Sequence, residues 1–162
     1  MEKAQAGDIY LTQLENPIDI IGYGLKKAKE KGMFVVLNPA PANIEIEPYL
    51  GYCDLITPNE TEVELLGGRE TLLKKVNILL VTLGGEGFQI ITKNGSRQYP
   101  CMKITPVDTT AAGDTLCGGL VAYLAEGASL EEAARFGSKA ATIACTRQGA
   151  QPSIPTRCEV FD

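Results

Sequence analysis

Residues 108–119 read DTTAAGDTLCGG. The segment has no basic side chain, yet it sets an acid, hydroxyls and small residues where a helix is about to begin. Small residues at 111–113 let backbone approach a ligand closely. A helix that starts there directs unpaired N–H groups and a positive dipole end outward. Such a terminus suits a phosphate without help from lysine or arginine. Asp114 stands at its mouth. On local grounds it is either a helix cap or a carboxylate that faces a bound group.

The sequence before this segment places it in an α/β chain. Ile9–Leu14 (IYLTQL) is a short β-like run. Pro17 suits a first helical turn, and Ile18, Ile21, Leu25 and Ala28 then form one apolar face opposite Lys26, Lys27, Lys29 and Lys31. Gly32 stops that helix, and Met33–Leu37 (MFVVL) reads as a strand buried on both faces. Asn38–Pro41 (NPAP) continues neither state. Leu55–Thr57 is a second short strand, followed by a helix from about Thr61, and Ile78–Leu83 (ILLVTL) is a further buried strand. Gly84, Gly85 and Gly87 make a turn after it. Phe88–Thr92 and Arg97–Met102 flank Asn94-Gly95, a strong hairpin signal. Two helices follow, about Asp114–Leu124 and Leu130–Thr146, with Ser129 and Glu132 spaced as a capping box. This order predicts a mainly parallel sheet, whose ligands bind at the carboxyl ends of the strands. Glu15, Asn38, Asn59 and Gly84-Gly85 all fall there.

Composition narrows the chemistry. With 162 residues and 44% hydrophobic content, one domain with a packed core is expected. A net charge of −5 and the lack of any basic run argue against nucleic acid and anionic membrane as partners. No leader-like apolar run is found, and the five cysteines show no C-x-x-C spacing, so reduced thiols and a cytoplasmic location are expected. Asn59-Glu60-Thr61 and Asn94-Gly95-Ser96 match the glycosylation pattern by chance on that reading. There is no histidine, so Ser-His-Asp and Cys-His catalysis are excluded within one chain. A general base near neutral pH must be a carboxylate, lysine or cysteine.

DTTAAGDTLCGGL resembles the carboxy-terminal signature of the ribokinase-like carbohydrate kinases, the PfkB family. TQLENP, VVLNPAPA, DLITPNETEVELL, VTLGGEG and TRQGAQPSIP resemble the same family in the same order. The resemblance covers nearly the whole chain. It implies a three-layer α/β/α fold, here truncated to a single partial domain over 1–162, without the amino-terminal strands and β lid. It also implies an ATP-dependent kinase acting on ribose or a related sugar.

By that resemblance Asp114 is the general base, and Ala111, Ala112 and Gly113, with the Asp114 amide, form the anion hole. Asn59 and Glu62 match the N-x-x-E motif that organises magnesium and phosphate; by spacing alone they could equally be an N-cap and its capping-box partner. Thr82, Gly84, Gly85 and Gly87 match the nucleotide-binding strand end and loop; locally they read as an ordinary glycine turn. Asp108, Thr110, Ala144, Arg147, Gly149 and Ser153 match the ring around a potassium-like cation, most acting through backbone carbonyls. Glu15 matches a sugar-contacting carboxylate, and without the family it reads as a solvated residue at a strand end.

Three departures from the family pattern stand out. The G-G-x-x-x-N motif and most sugar contacts belong to an amino-terminal half outside this sequence. Only Arg69–Val76 separates the N-x-x-E helix from the next strand, where members carry a longer helical insert. Ser138 and Lys139 stand where an asparagine or histidine is common beside adenine. Two readings follow: a sugar kinase, or a nucleotide-binding remnant that turns nothing over. A parallel sheet cut between strands also predicts self-association through its open edge.

Overall fold

The structure is a computed structural model and describes residues 3–161. The described residues form two compact units, residues 3–84 with 88–98 and residues 85–87 with 99–161.

The first unit is built on strands β1 (Ile9–Thr12), β2 (Phe34–Leu37), β3 (Leu55–Ile56), β4 (Ile78–Thr82), β5 (Phe88–Thr92) and β6 (Gly95–Tyr99), in that order across one sheet. β1 to β4 are parallel, with Ile9 opposite Phe34, Val36 opposite Leu55 and Leu55 opposite Ile78. β5 returns antiparallel to β4, with Thr82 opposite Phe88. Their carboxyl ends therefore share one edge for β1 to β4. Side chains alternate between faces. Val35, Leu37, Ile56, Leu79, Val81 and Ile91 join one apolar cluster with Ile21, Leu25 and Ala28 of helix α1 (Ile18–Glu30). Val36, Leu55 and Leu80 point to the opposite face and are also fully buried. The unbroken apolar runs in the sequence thus correspond to strands buried on both sides.

Several boundaries differ from the sequence expectation. Pro17 is the N-cap of α1 rather than its first turn. β2 and β3 are joined by a 3-10 helix, Ile44–Tyr52, which periodicity did not reveal; it is capped by the Asn43 side chain, which accepts from Glu45 N at 2.9 Å. The β3–β4 crossover holds two short helices, α2 (Glu60–Leu65) and α3 (Arg69–Leu73). β6 begins at Gly95 and ends before Pro100, so the hairpin lies closer to Asn94 than Arg97–Met102 would place it.

The second unit contains α4 (Ala112–Ala125), α5 (Leu130–Ala144) and a short terminal helix α6 (Arg157–Phe161). The capping box expected at Ser129 and Glu132 is present. α4 and α5 approach closely at Gly119 and Gly137: a Cβ on Gly137 would lie 2.4 Å from the Leu116 carbonyl oxygen. Tyr123, Phe136 and Phe161 form an aromatic cluster that ties α6 to both helices, with ring centroids 4.9 to 5.8 Å apart. None of the five cysteines is in a disulfide. Among the described residues no helix is long and apolar enough to cross a membrane.

Candidate active site

In the first unit the predicted residues gather at the carboxyl edge of the sheet. Thr82 ends β4, and its N–H donates to the Pro58 carbonyl at 2.9 Å, which sets Asn59 and Thr82 side by side. Asn59 Oδ1 accepts from Glu62 N at 2.8 Å, and Asn59 N donates to Glu62 Oε2 at 2.8 Å. The capping-box reading of N-x-x-E is therefore realised. It leaves Glu62 Oε1 outside the cap. Burial pushes the Glu62 carboxyl above its usual range, against the Asn59 N–H that lowers it. A half-buried carboxylate with one uncommitted oxygen fits a magnesium ion that keeps waters and substrate phosphates as its other ligands. Among the described residues there is no cluster of three or more acidic or thiol groups for a fully protein-held metal. Glu15 lies after β1 and is exposed. Three inter-strand steps separate β1 from β4, about 14 Å, so the sheet does not bring Glu15 to Thr82.

The glycine loop divides in purpose. Gly84 and Gly85 are exposed, and a Cβ on either would meet nothing within 4 Å. Gly87 is buried with φ +98°, and a Cβ there would lie 2.0 Å from the Tyr99 carbonyl oxygen. Its lack of a side chain serves a close crossing of two backbones. Cys101 Sγ donates to the Gly85 carbonyl at 3.3 Å, a further tie between the loop and 99–101.

In the second unit Ala111 is the N-cap of α4 and sits at φ 59°, ψ 16°. It is the one non-glycine residue at positive φ among those described. Alanine there costs about 1–2 kcal/mol relative to a right-handed backbone, a type of strain that clusters at functional sites. Its carbonyl accepts from Thr115 N at 2.9 Å and from Thr115 Oγ1 at 2.8 Å, which pins the unusual peptide. No side chain caps the helix. Asp114 occupies the first turn and is exposed together with Gly113. The bland expectation for Asp114, that of an N-cap, is therefore not what the fold uses it for. Ala111 and Ala112 are half-buried, and a Cβ on Gly113 would meet nothing within 4 Å.

Of the six predicted cation residues, Asp108, Thr110 and Gly149 are bonded together. Asp108 Oδ1 accepts from Thr110 N at 2.9 Å, and Oδ2 accepts from Gly149 N at 2.9 Å. The Thr110 hydroxyl, then the Thr110 and Gly149 N–H groups, hold the Asp108 carboxyl down to about 2. The Cys145 carbonyl accepts from Val107 N at 2.8 Å and Asp108 N at 3.3 Å. Ser153 is buried, and its Oγ donates to the Ala150 carbonyl at 2.6 Å. The Asp108 carboxylate thus stitches the two turns together with both of its oxygens taken by N–H groups, so a monovalent cation there would have to be held mainly by carbonyl oxygen.

These motifs, in this order along the chain, match a known family. A family model described as pfkB family carbohydrate kinase matches residues 11–157. The chain belongs to that family. It is 42% identical to a ribokinase of Haemophilus influenzae over 96% of the chain and 55% of that protein. It superimposes on a Thermotoga maritima ribokinase with a TM-score of 0.85 at 40% identity, over 95% of the chain and 55% of that structure. An Arabidopsis thaliana ribokinase complexed with ribose and ATP gives a TM-score of 0.80 at 31% identity, over 94% of the chain and 54% of that structure. The chain spans about half the length of these pfkB relatives. The α/β fold is thus ribokinase-like, in truncated form.

One connection escaped the sequence reading. Thr156 and Glu159 form the [ST]-x-x-E pattern of a helix start, and Glu159 also meets Arg147. The spacing was visible; the partner at 147 was not.

Proposed function

We propose that the chain carries the phosphoryl-transfer machinery of an ATP-dependent sugar kinase of ribokinase type, with ribose or a related sugar as acceptor. The observation that carries this reading is the left-handed Ala111 at the head of an uncapped α4, with Asp114 in the first turn. The sugar hydroxyl oxygen attacks the γ-phosphorus as the bond to the β,γ-bridging oxygen breaks, and ADP leaves. Asp114 accepts the hydroxyl proton. The N–H groups of Ala111, Gly113 and Asp114 would hold the charge that develops on the transferred phosphoryl oxygens, the Ala112 N–H being taken by the Thr109 carbonyl at 3.2 Å. Thr82, Gly84 and Gly85 lie along the nucleotide. Glu62, oriented by Asn59, would hold magnesium, which supplies charge neutralisation at the phosphates. Asp108, Thr110, Ala144, Arg147, Gly149 and Ser153 would hold a potassium-like ion beside the anion hole. Glu15 would contact the sugar. With a net charge of −5 and no disulfide, a cytoplasmic enzyme acting on small phosphorylated partners fits better than a nucleic-acid or membrane protein.

A coupled assay on a small sugar panel, with ATP, magnesium and potassium, tests this. Asp114→Asn should lower turnover by about 10²–10⁴-fold while ADP binding by calorimetry persists. Full turnover by that variant removes Asp114 from the mechanism.

A second reading is a nucleotide-binding remnant. Binding of magnesium-ADP without turnover on any sugar would select it.

A further inference from the structure

The cation reading uses Arg147 through its backbone and gives its side chain no task. That side chain reaches α6, where Nη2 donates to Glu159 Oε1. The second oxygen of Glu159 accepts from Thr156 N at 2.7 Å and from Thr156 Oγ1 at 2.8 Å. One carboxylate thus starts α6 and holds Arg147. α6 is itself anchored: Val160 is buried, Phe161 packs on Tyr123 and Phe136, and Arg157 pairs with Glu126. On either side of Arg147 the chain makes the contacts that shape the cation loop. Cys145 receives the N–H groups of Val107 and Asp108, and Gly149 donates to Asp108. The turn between them lies between helical α5 and Gly149 at φ +91°. Arg147 ties that span by its side chain to a separate helix.

We propose that Glu159 is a positioning residue: acting through Arg147, it fixes the 145–149 turn and so the Asp108–Gly149 contact that shapes the cation site. The inference rests on the kinase reading for the cation and on the structure for the tether. Charge-assisted bonds to a guanidinium are directional as well as strong. Exposed pairs of this kind shift equilibria by up to about fivefold. The bland alternative is a surface ion pair that touches nothing else.

Glu159→Gln separates the two, because the amide still accepts from Thr156 and loses only the charge that holds Arg147. Glu159→Asp keeps the charge with a shorter reach, and Cys158→Ser is an exposed control on the same helix. Two measurements are made on the full chain: amide exchange at Val107 and Gly149, and the rise of the melting temperature with potassium chloride against choline chloride. In Glu159→Gln, exchange at both amides should quicken about threefold while Leu80 in β4 is unchanged, and the potassium midpoint should rise about threefold. Turnover at saturating potassium should match wild type, and Glu159→Asp should recover part of the midpoint. Exchange at Gly149 equal to wild type overturns the proposal. So does a potassium midpoint equal to wild type. A wild-type protein whose melting ignores potassium overturns the cation reading and the positioning role with it; quickened exchange would then mark Glu159 as an anchor of the turn alone.

Discussion

Gly113 and Gly87 look alike in the sequence and do opposite work. A Cβ on Gly113 would meet nothing within 4 Å. Alanine is also the better helix former by up to about 1 kcal/mol. Gly113→Ala should therefore melt at or above the wild-type temperature. Under the kinase reading its methyl stands where phosphoryl oxygens approach, so turnover should drop at least about tenfold, as expected when transition-state contacts are displaced. A stable variant with full turnover would take 111–114 out of the site. Gly87→Ala should instead destabilise, since its Cβ would fall 2.0 Å from the Tyr99 carbonyl oxygen at a backbone φ of +98°. Cys53 gives a second test at this scale. It is 3% exposed, and burial pushes its thiol up to about 12. The folded value lies above the unfolded one, so the associated stability is intact below about pH 9 and is lost as pH rises toward 12. At pH 8, a thiol reagent should label Cys158 in the native protein and reach Cys53 only in guanidinium. Prompt native labelling of Cys53 would contradict that burial.

Among the elements, the α4–α5 pair shows what a sequence discloses and what it hides. Helix α5 was legible because its punctuation is local: Ser129 and Glu132 bond one another across one turn. The strands were legible because MFVVL and ILLVTL have no polar face to show. The 3-10 helix at Ile44–Tyr52 was not, since Pro48 interrupts it and its apolar residues follow no helical period. α6 was missed for its length, though Thr156-x-x-Glu159 announces its start. At the site, the reciprocal Asn59–Glu62 bonds were one of two readings the spacing allowed. The left-handed peptide at Ala111 has no sequence signal at all, because alanine is a poor choice for that backbone and only the surrounding fold imposes it. Close helix contact is equally silent. Gly119 and Gly137 matter because of each other, and no local pattern pairs them. Gly137→Ala places a methyl 2.4 Å from a backbone oxygen, which the helices can relieve only by moving apart. A loss of about 1–3 kcal/mol is expected from such overpacking, read as a lower denaturant midpoint. Gly118→Ala, with open space around its Cβ, should leave the midpoint within about 0.5 kcal/mol.

At the scale of the molecule, the open question is the edge of the sheet at β1. The Asp8 and Thr12 carbonyls accept from Phe34 and Asn38 of the β2 side. By the alternation of a parallel ladder, the N–H and C=O of Ile9 and Leu11 face away from β2. β1 ends the strand order, and its residues are only half buried. On the adjoining α1, Ile20 is 61% and Tyr23 63% exposed. An unpaired strand beside apolar surface is a template for another strand. A charge of −5 opposes association weakly at physiological salt, where screening acts within about 8 Å. We therefore expect the chain to self-associate through this edge, with a mass by light scattering that rises between one and tens of micromolar. Leu11→Pro removes an outward N–H of an edge strand, a place in a sheet where proline is tolerated. It should shift the population toward monomer with little change in far-ultraviolet circular dichroism. A wild-type chain that stays monomeric at tens of micromolar, or an association indifferent to Leu11→Pro, would mean that the β1 edge is not the surface through which copies meet.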